Sequence, residues 1–333
     1  MTLREQAALS APFPWFGGKS RAASQVWSAL GDVDNYIEPF GGSLALLLAR
    51  PKPGKIETVN DADGLLINWW RAVRADPDRV AEWADWPVSE IDLTARHLWL
   101  VERRSEITAR LHTDPEWYDA QAAGWWVWGA CCWIGSGWCS GDGPWTRTPD
   151  GMIEKGNAGR GIHRQLPHLG DAGQGIHRKL PHIGDADRGV RIREWFSAVA
   201  ARLAQVRIAC GSWERVCTPV VVERHGTAGV VLDPPYPEGW SPDAAYAGQD
   251  ASAADICRDV FAAAVDLDAR GVRVVVCGYS GTWTPPAGWT ERRWVARKGY
   301  AADGGARQRR EVLWCSPACL PEGQPSLFGG GGA

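Results

Sequence analysis

The period at which apolar residues recur changes along this chain, and the changes mark its parts. Ala22, Val26, Trp27 and Leu30 sit at helical spacing and predict a helix over Ser20–Leu30. Asn35–Ser43 then reads as a strand and a glycine-rich turn that runs directly into the apolar helix Leu44–Ala49. Ile56–Val59 reads as a second strand ending in Asn60-Asp61. Leu65–Val73 reads as a helix, and Asp76-Pro77-Asp78 starts another that runs through Trp83. From there to about Ala209 the strand pattern lapses. Ile91–Leu111 is helical, with a mixed-charge face expected to be solvated. Gly124–Trp138 predicts a buried, tryptophan-rich helix and a glycine loop, and Gly141–Gly161 a loop holding Pro144 and Pro149. Regularity returns with the helix Arg193–Ala204 and the strand Val206–Cys210, which ends in Gly211-Ser212-Trp213. The strand Val230–Leu232, the helix Ala253–Ala269 and the strand Val272–Cys277 come next. Two last strands are predicted near Trp289–Ala296 and Glu311–Cys315, separated by the glycine-rich Gly299–Gly305. Seven strands with an antiparallel final pair predict an α/β fold on a mainly parallel sheet.

The strand beginning at Val230 runs into Asp233-Pro234-Pro235-Tyr236. Asp233 stands at the strand's carboxyl end, where open α/β sheets place their ligand crevice. Two prolines stop helix and ladder alike, so the turn is stiff. A carboxylate, a carbonyl and an aromatic ring held together suit a flat ring that bears an amine; the plainer reading is a strand ending in a proline turn. Two glycine turns point the same way. Pro12-Phe13-Pro14-Trp15-Phe16-Gly17-Gly18-Lys19 allows close backbone approach, with Lys19 to neutralise a carboxylate or phosphate. Glu38-Pro39-Phe40-Gly41-Gly42-Ser43 links strand to helix as in a first nucleotide-binding unit, although it is not a G-x-G-x-x-G fingerprint. Asp61, at the end of the second strand and about 20 residues on, is placed to take both ribose hydroxyls.

Composition narrows the class. The net charge of −3 over 333 residues gives no global basic field. No apolar run approaches the ~18 residues of a membrane span. Met1–Ser10 lacks a signal-peptide pattern, so the chain is expected in the cytoplasm and away from membranes. Nine scattered cysteines read as reduced thiols, and neither Cys131, Cys132 and Cys139 nor Cys315 and Cys319 have zinc spacing. No metal is expected. The outlier is 21 tryptophans beside six tyrosines and six phenylalanines, which serve either as core or as base-stacking platforms. Residues 159–172 (GRGIHRQLPHLGDA) and 173–186 (GQGIHRKLPHIGDA) form a tandem repeat, matched at eleven of fourteen positions. Two copies are too few for a solenoid and predict paired loops. His163, His168, His177 and His182 lack a metal-binding spacing, whereas Arg164, Arg178 and Lys179 suit phosphate contact.

Taken in order, these segments resemble the Dam-type (D12 class) DNA adenine-N6 methyltransferases. The resemblance rests on residues 12–19, Glu38-Pro39-Phe40-Gly41-Gly42, Asn60-Asp61-Ala62-Asp63 and Asp233-Pro234-Pro235-Tyr236. Sequences of phage and mobile-element type are also similar around Leu65–Val80 and Arg309–Trp314. The resemblance implies a Rossmann-like seven-stranded methyltransferase sheet that binds S-adenosylmethionine. Residues 1–82 and 194–320 would form the catalytic domain. Residues 83–193, mostly helical and looped, would be an inserted target-recognition region, and 321–333 a flexible tail. Trp15, Gly17, Gly18 and Lys19 would contact the cofactor, with Glu38, Phe40, Gly41 and Gly42 lining its pocket and Asp61 on the ribose. Asp233, Pro234, Pro235 and Tyr236 would receive an adenine flipped out of double-stranded DNA. Ser212 stands where relatives often carry an acid, and Trp213 would compensate by stacking. Gln324, Leu327 and Phe328 resemble the short peptide that docks on the bacterial sliding clamp, and a cognate restriction nuclease is a second candidate partner. The competing readings are cytosine-N4 methylation, which usually has Ser in place of Asp233, and an idle DNA-binding protein that keeps the fold.

Overall fold

A computed structural model describes residues 9–15, 17–133, 138–139, 145–148, 151–154, 188–235, 252–294 and 311–322. Its centre is a seven-stranded sheet in the order β5-β2-β1-β6-β7-β9-β8. The strands are β1 (Asn35–Glu38), β2 (Ile56–Asp61), β5 (Arg207–Cys210), β6 (Ala228–Leu232), β7 (Arg273–Tyr279), β8 (Thr290–Arg293) and β9 (Glu311–Cys315). β5, β2, β1, β6 and β7 are parallel, while β9 runs antiparallel to β7 and β8 antiparallel to β9. The mainly parallel sheet with an antiparallel end follows the expectation from sequence.

β6 is Ala-Gly-Val-Val-Leu and buried at every position, as a central parallel strand covered on both faces must be. Successive side chains point to opposite faces. Val231, Val275, Cys277 and Leu313 therefore join one core, with α1 (Ala23–Leu30) and the helices beyond it. Val230, Leu232, Val274, Val276 and Trp314 join the other, under α9 (Ser252–Ala269). β1 is fully buried although it carries Asn35 and Glu38. Asn35 Nδ2 donates to the carbonyls of Val221 and Val222 at 2.7 and 2.9 Å, in and beside the short helix α8 (Pro219–Val222). The amide nitrogen thereby replaces its lost water.

The first core extends into a layer of helices, α3 (Gly64–Ala75), α4 (Pro77–Ala84), α5 (Glu90–Thr113), α6 (Ala120–Cys132) and α7 (Arg188–Leu203). Each of the first four has a polar N-cap: Asp63, Asp76, Ser89 and Asp119 accept from the backbone N–H of Leu65, Arg79, Asp92 and Ala122. Trp69, Trp70, Trp126, Trp128 and Trp314 are among the largest fully buried side chains, so these tryptophans belong to the core. All nine cysteines are free. No helix among the described residues is long and apolar enough to cross a membrane.

Two expectations are corrected. The segment 141–161, read as loop, contains an antiparallel hairpin of β3 (Trp145–Thr148) and β4 (Gly151–Glu154). The alternation of Thr146, Arg147 and Thr148 carries no apolar signal, and the flanking prolines and glycines masked two short strands. The face of α5 read as solvated is also partly interior. Arg96 and His97 are buried, with the Arg96 guanidinium 4.4 Å from the Trp128 ring centroid and 5.0 Å from those of Trp86 and Trp125. Aromatic faces accept a guanidinium where carboxylates would otherwise be needed. A short helix α2 (Ala45–Leu48) completes the turn after β1.

Candidate functional site

The chain leaves β1 toward β2 on one side, while β6 and β7 lie on the other. This reversal of strand order at β1 and β6 is where open α/β sheets form a crevice at their carboxyl ends. A cavity of about 590 Å³ occupies the place, within the range of small-molecule sites. Trp15, Gly18, Lys19, Glu38, Phe40, Gly41, Gly42, Asp61, Ser212, Trp213, Asp233 and Pro235 all line it, so segments far apart in sequence meet there. Gly17 and Pro234 do not. Gly17 holds the Lys19 ammonium through its carbonyl at 2.6 Å, and Pro234 is buried within the turn. Tyr236, Arg164, Arg178, Lys179, the tandem repeat, Gln324, Leu327 and Phe328 lie outside the described residues.

The glycine turn is shaped by close contact. Gly42 has φ +48°, and a Cβ there would run into the Trp15 indole. A Cβ on Gly41 would meet Leu44 Cδ2 at 2.8 Å and the Asn60 carbonyl at 3.1 Å. Leu44, not a glycine, also takes the left-handed conformation, φ +54°, as the chain enters α2. That costs about 1–2 kcal/mol and is the kind of strain that accumulates at sites. The Gly42 N–H donates to Asp61 Oδ2 at 2.9 Å and the Asp63 N–H to Oδ1 at 3.0 Å. The Ala62 N–H is a third backbone donor to this carboxylate, so of a carboxylate's about four acceptor positions Asp61 keeps about one for a ligand. Burial pushes its carboxyl up to about 6, against the pull of these N–H groups.

Asn60 ties the strand ends together, donating to the Pro39 and Gly211 carbonyls at 3.0 and 2.9 Å. Beyond β5, Trp213 opens a 3-10 turn, and its ring stacks on Phe40 with centroids 6.0 Å apart and planes 28° apart. At the other end Lys19 and Asp233, more than two hundred residues apart, form an ion pair at 2.8 Å, with the lysine 4% and the aspartate 23% exposed. Burial opposes the Lys19 charge, but Asp233, Cys277 and Glu311 outweigh it and raise its proton affinity above the ordinary lysine value. Glu38 is buried and accepts from the Tyr36 hydroxyl at 3.0 Å. Burial, with Asp233 adding to it, pushes the Glu38 carboxyl up to about 8 despite that hydrogen bond. The Cys257 thiol in α9 donates to the Pro235 carbonyl at 3.0 Å and pins the turn. Burial, reinforced by Asp233, pushes this thiol up to about 12, which keeps it a donor.

The sequence assigned no site role to several wall residues, among them Arg104 of α5, which reaches Asp63 at 3.6 Å, and Trp138, Asp63 and Glu214. Only the helical phase of Arg104 could have been read in advance, and nothing local tells that α5 crosses the start of α3. The walls hold Glu38, Asp61, Asp63, Glu214 and Asp233 against Lys19 and Arg104, a carboxyl excess that suits a cationic guest. The cavity thus combines aromatic faces, carboxylate acceptors and an acidic wall.

No curated protein matches the chain. Residues 15–86, which carry Trp15, Lys19, the Gly41-Gly42 turn and Asp61, match the model of the D12 class N6 adenine-specific DNA methyltransferase family.

Proposed function

We propose that the protein transfers a methyl group from S-adenosylmethionine to the N6 amine of an adenine flipped out of double-stranded DNA. The observation that carries this reading is the convergence of Asp61, the Gly41-Gly42 turn and Asp233 on one cavity. The family match over residues 15–86 supports DNA adenine methylation as the reaction class.

The residues present fit such a cofactor. Gly41 and Gly42 let the turn pack against Leu44, Asn60 and Trp15 at the cavity wall, Asp61 lines the cavity with an acceptor position left for a hydroxyl, and the carboxyl excess suits a sulfonium. Phe40 and Trp213 would flank the adenine, and Trp15, Gly18, Lys19 and Glu38 would surround the amino-acid end. When bound, S-adenosylmethionine supplies an electrophilic methyl group on sulfur. The chain's part is alignment. Asp233 accepts one N6–H and the Pro234 carbonyl the other, which draws the nitrogen lone pair out of conjugation with the ring. The Pro235 carbonyl is already engaged by Cys257, which leaves that of Pro234 for the substrate. Tyr236 would stack on the flipped base, worth about 1–3 kcal/mol against an unstacking cost of a few kcal/mol. Residues 83–193 would choose the sequence, with Arg164, Arg178 and Lys179 on phosphates. Leu327-Phe328, with Gln324, is a proposed sliding-clamp ligand on sequence alone, and a cognate nuclease a further proposed partner.

The test is incubation of the protein with radiolabelled S-adenosylmethionine and mixed-sequence DNA, followed by nucleoside analysis. Label in N6-methyladenine is the expected result, and label in N4-methylcytosine or none at all refutes it. Asp233→Ala is expected to abolish transfer while calorimetric cofactor binding largely survives. Equal loss of both would make Asp233 a structural residue.

A further inference from the structure

Lys19 and Asp233 present a conflict. Asp233 is the proposed acceptor of the substrate amine, yet its Oδ1 is held at 2.8 Å by a buried ammonium. An acceptor occupied by a cation is a weak one for an incoming N–H. Removing the partner outright would strand a buried charge, which costs several kcal/mol. The fold places a second carboxylate beside the pair. Glu311 opens β9 and stands opposite Tyr279 at the carboxyl end of β7, the same edge of the sheet from which Asp233 emerges. Its backbone carbonyl accepts from the Trp294 N–H at 3.3 Å, and the Lys19 Nζ lies 5.9 Å from the centre of the Trp294 ring. Trp294 therefore borders both. Glu311 Oε2 is buried and has no hydrogen-bond partner among the described residues. Burial raises the Glu311 carboxyl, Lys19 pulls it down and Asp233 pushes it up, the pattern of two carboxylates around one ammonium. The N–H that Asp233 releases on turning away can pass to another carboxylate.

We propose that Glu311 is the second carboxylate of Lys19 and takes up the ammonium as Asp233 turns to the substrate amine. Glu311 is then a positioning residue for methyl transfer that acts through Lys19 without touching the substrate. This rests on the methyl-transfer reading above for its catalytic consequence, though not for the pairing itself.

Glu311→Gln keeps the shape and removes the charge. It is expected to lower kcat about 10- to 100-fold, the scale of a misplaced catalytic group, with KM for S-adenosylmethionine unchanged. Glu311→Asp keeps the charge and is expected to recover most of that loss. Lys19→Met will be slow in its own right, and adding Glu311→Gln to it is expected to slow it no further. In parallel, melting temperatures of the wild type, both single variants and the double variant are expected to depart from additivity by about 2 °C or more. Additive melting shifts, additive losses in kcat, or a Glu311→Asp variant as slow as Glu311→Gln would overturn the proposal. A wild type that forms no N6-methyladenine would sink the methyl-transfer reading alone, because the melting cycle still decides whether Lys19 and Glu311 are coupled.

Discussion

Replacing Glu38 by glutamine tests the electrostatics of the cavity without reference to any substrate. Glu38 is 4% exposed, and its carboxyl is raised from an ordinary 4.5 to about 8, by burial first and then by the Asp233 charge. The folded chain therefore holds a proton that the unfolded chain releases, and stability falls as pH rises between those values. At pH 8 the unfolded group is ionised while the folded group is half protonated, a cost of about 4 kcal/mol; at pH 5 it is about 1 kcal/mol. Glutamine does not titrate, and its amide oxygen can still accept from the Tyr36 hydroxyl. Glu38→Gln is therefore expected to gain about 3 kcal/mol on the wild type between pH 5 and pH 8, or about 4 °C in melting temperature for a chain of this length. Any fixed cost of burying the amide cancels from that difference. Thermal melts of both proteins across this range measure it, and a gap that does not change with pH refutes the reasoning. The same proton bears on binding. A cationic guest favours the carboxylate, so at pH 7 binding should expel close to one proton and tighten about tenfold per pH unit up to 8. Calorimetry in two buffers of different ionisation enthalpy reads that proton, and Glu38→Gln should abolish its release.

Two further outcomes follow from packing. Glu57, buried in β2, accepts from Arg50 Nη1 at 3.0 Å and from Arg202 Nη1 and Nη2 at 2.6 and 2.8 Å, which ties α7 to the sheet. Glu57→Gln leaves two guanidinium groups without their carboxylate and should cost about 3–5 kcal/mol; a urea midpoint within error of the wild type would contradict this. Gly42→Ala combines a left-handed backbone with a Cβ driven into Trp15. It should cost about 1–3 kcal/mol in stability and weaken cofactor binding, whereas unchanged calorimetric affinity would show that Trp15 does not shape the pocket.

Local patterns made much of this molecule legible. The unbroken apolar run of β6 can only be a strand covered on both faces, and Asp233 at its end inherits the crevice by topology. Asp61 was readable because a glycine turn and a strand-end acid at that spacing must lie side by side once β1 and β2 pair in parallel. The ion pair of Lys19 with Asp233 had no such signal, since it depends on how the first loop folds across the sheet edge. Glu57 looked like an ordinary polar residue in a strand, and only the arrival of Arg202 from α7 explains its burial. Arg104 looked solvated because helical phase says which residues share a face and not what that face meets.

The tryptophans show how one residue type divides by context. Composition alone put most of them in the core and some on stacking platforms, without saying which. Trp69, Trp70 and Trp126 went to the core where α3 and α6 pack on each other, and Trp128 to a smaller buried cluster with Leu93 of α5. Trp15, Trp138 and Trp213 stayed at the cavity, Trp15 from the loop before α1 and the other two from beyond the ends of α6 and β5. Trp138 links the two groups. Its Nε1 donates to the Trp126 carbonyl at 3.0 Å, its ring lies over Gly129 where no Cβ fits, and its face packs against His97 and Trp133. The helical layer thus reaches the cavity through a side chain braced on three sides. A shift of α6 would move one wall of the site, and that gives the segment proposed to read the DNA a direct mechanical route to the place where the cofactor would sit.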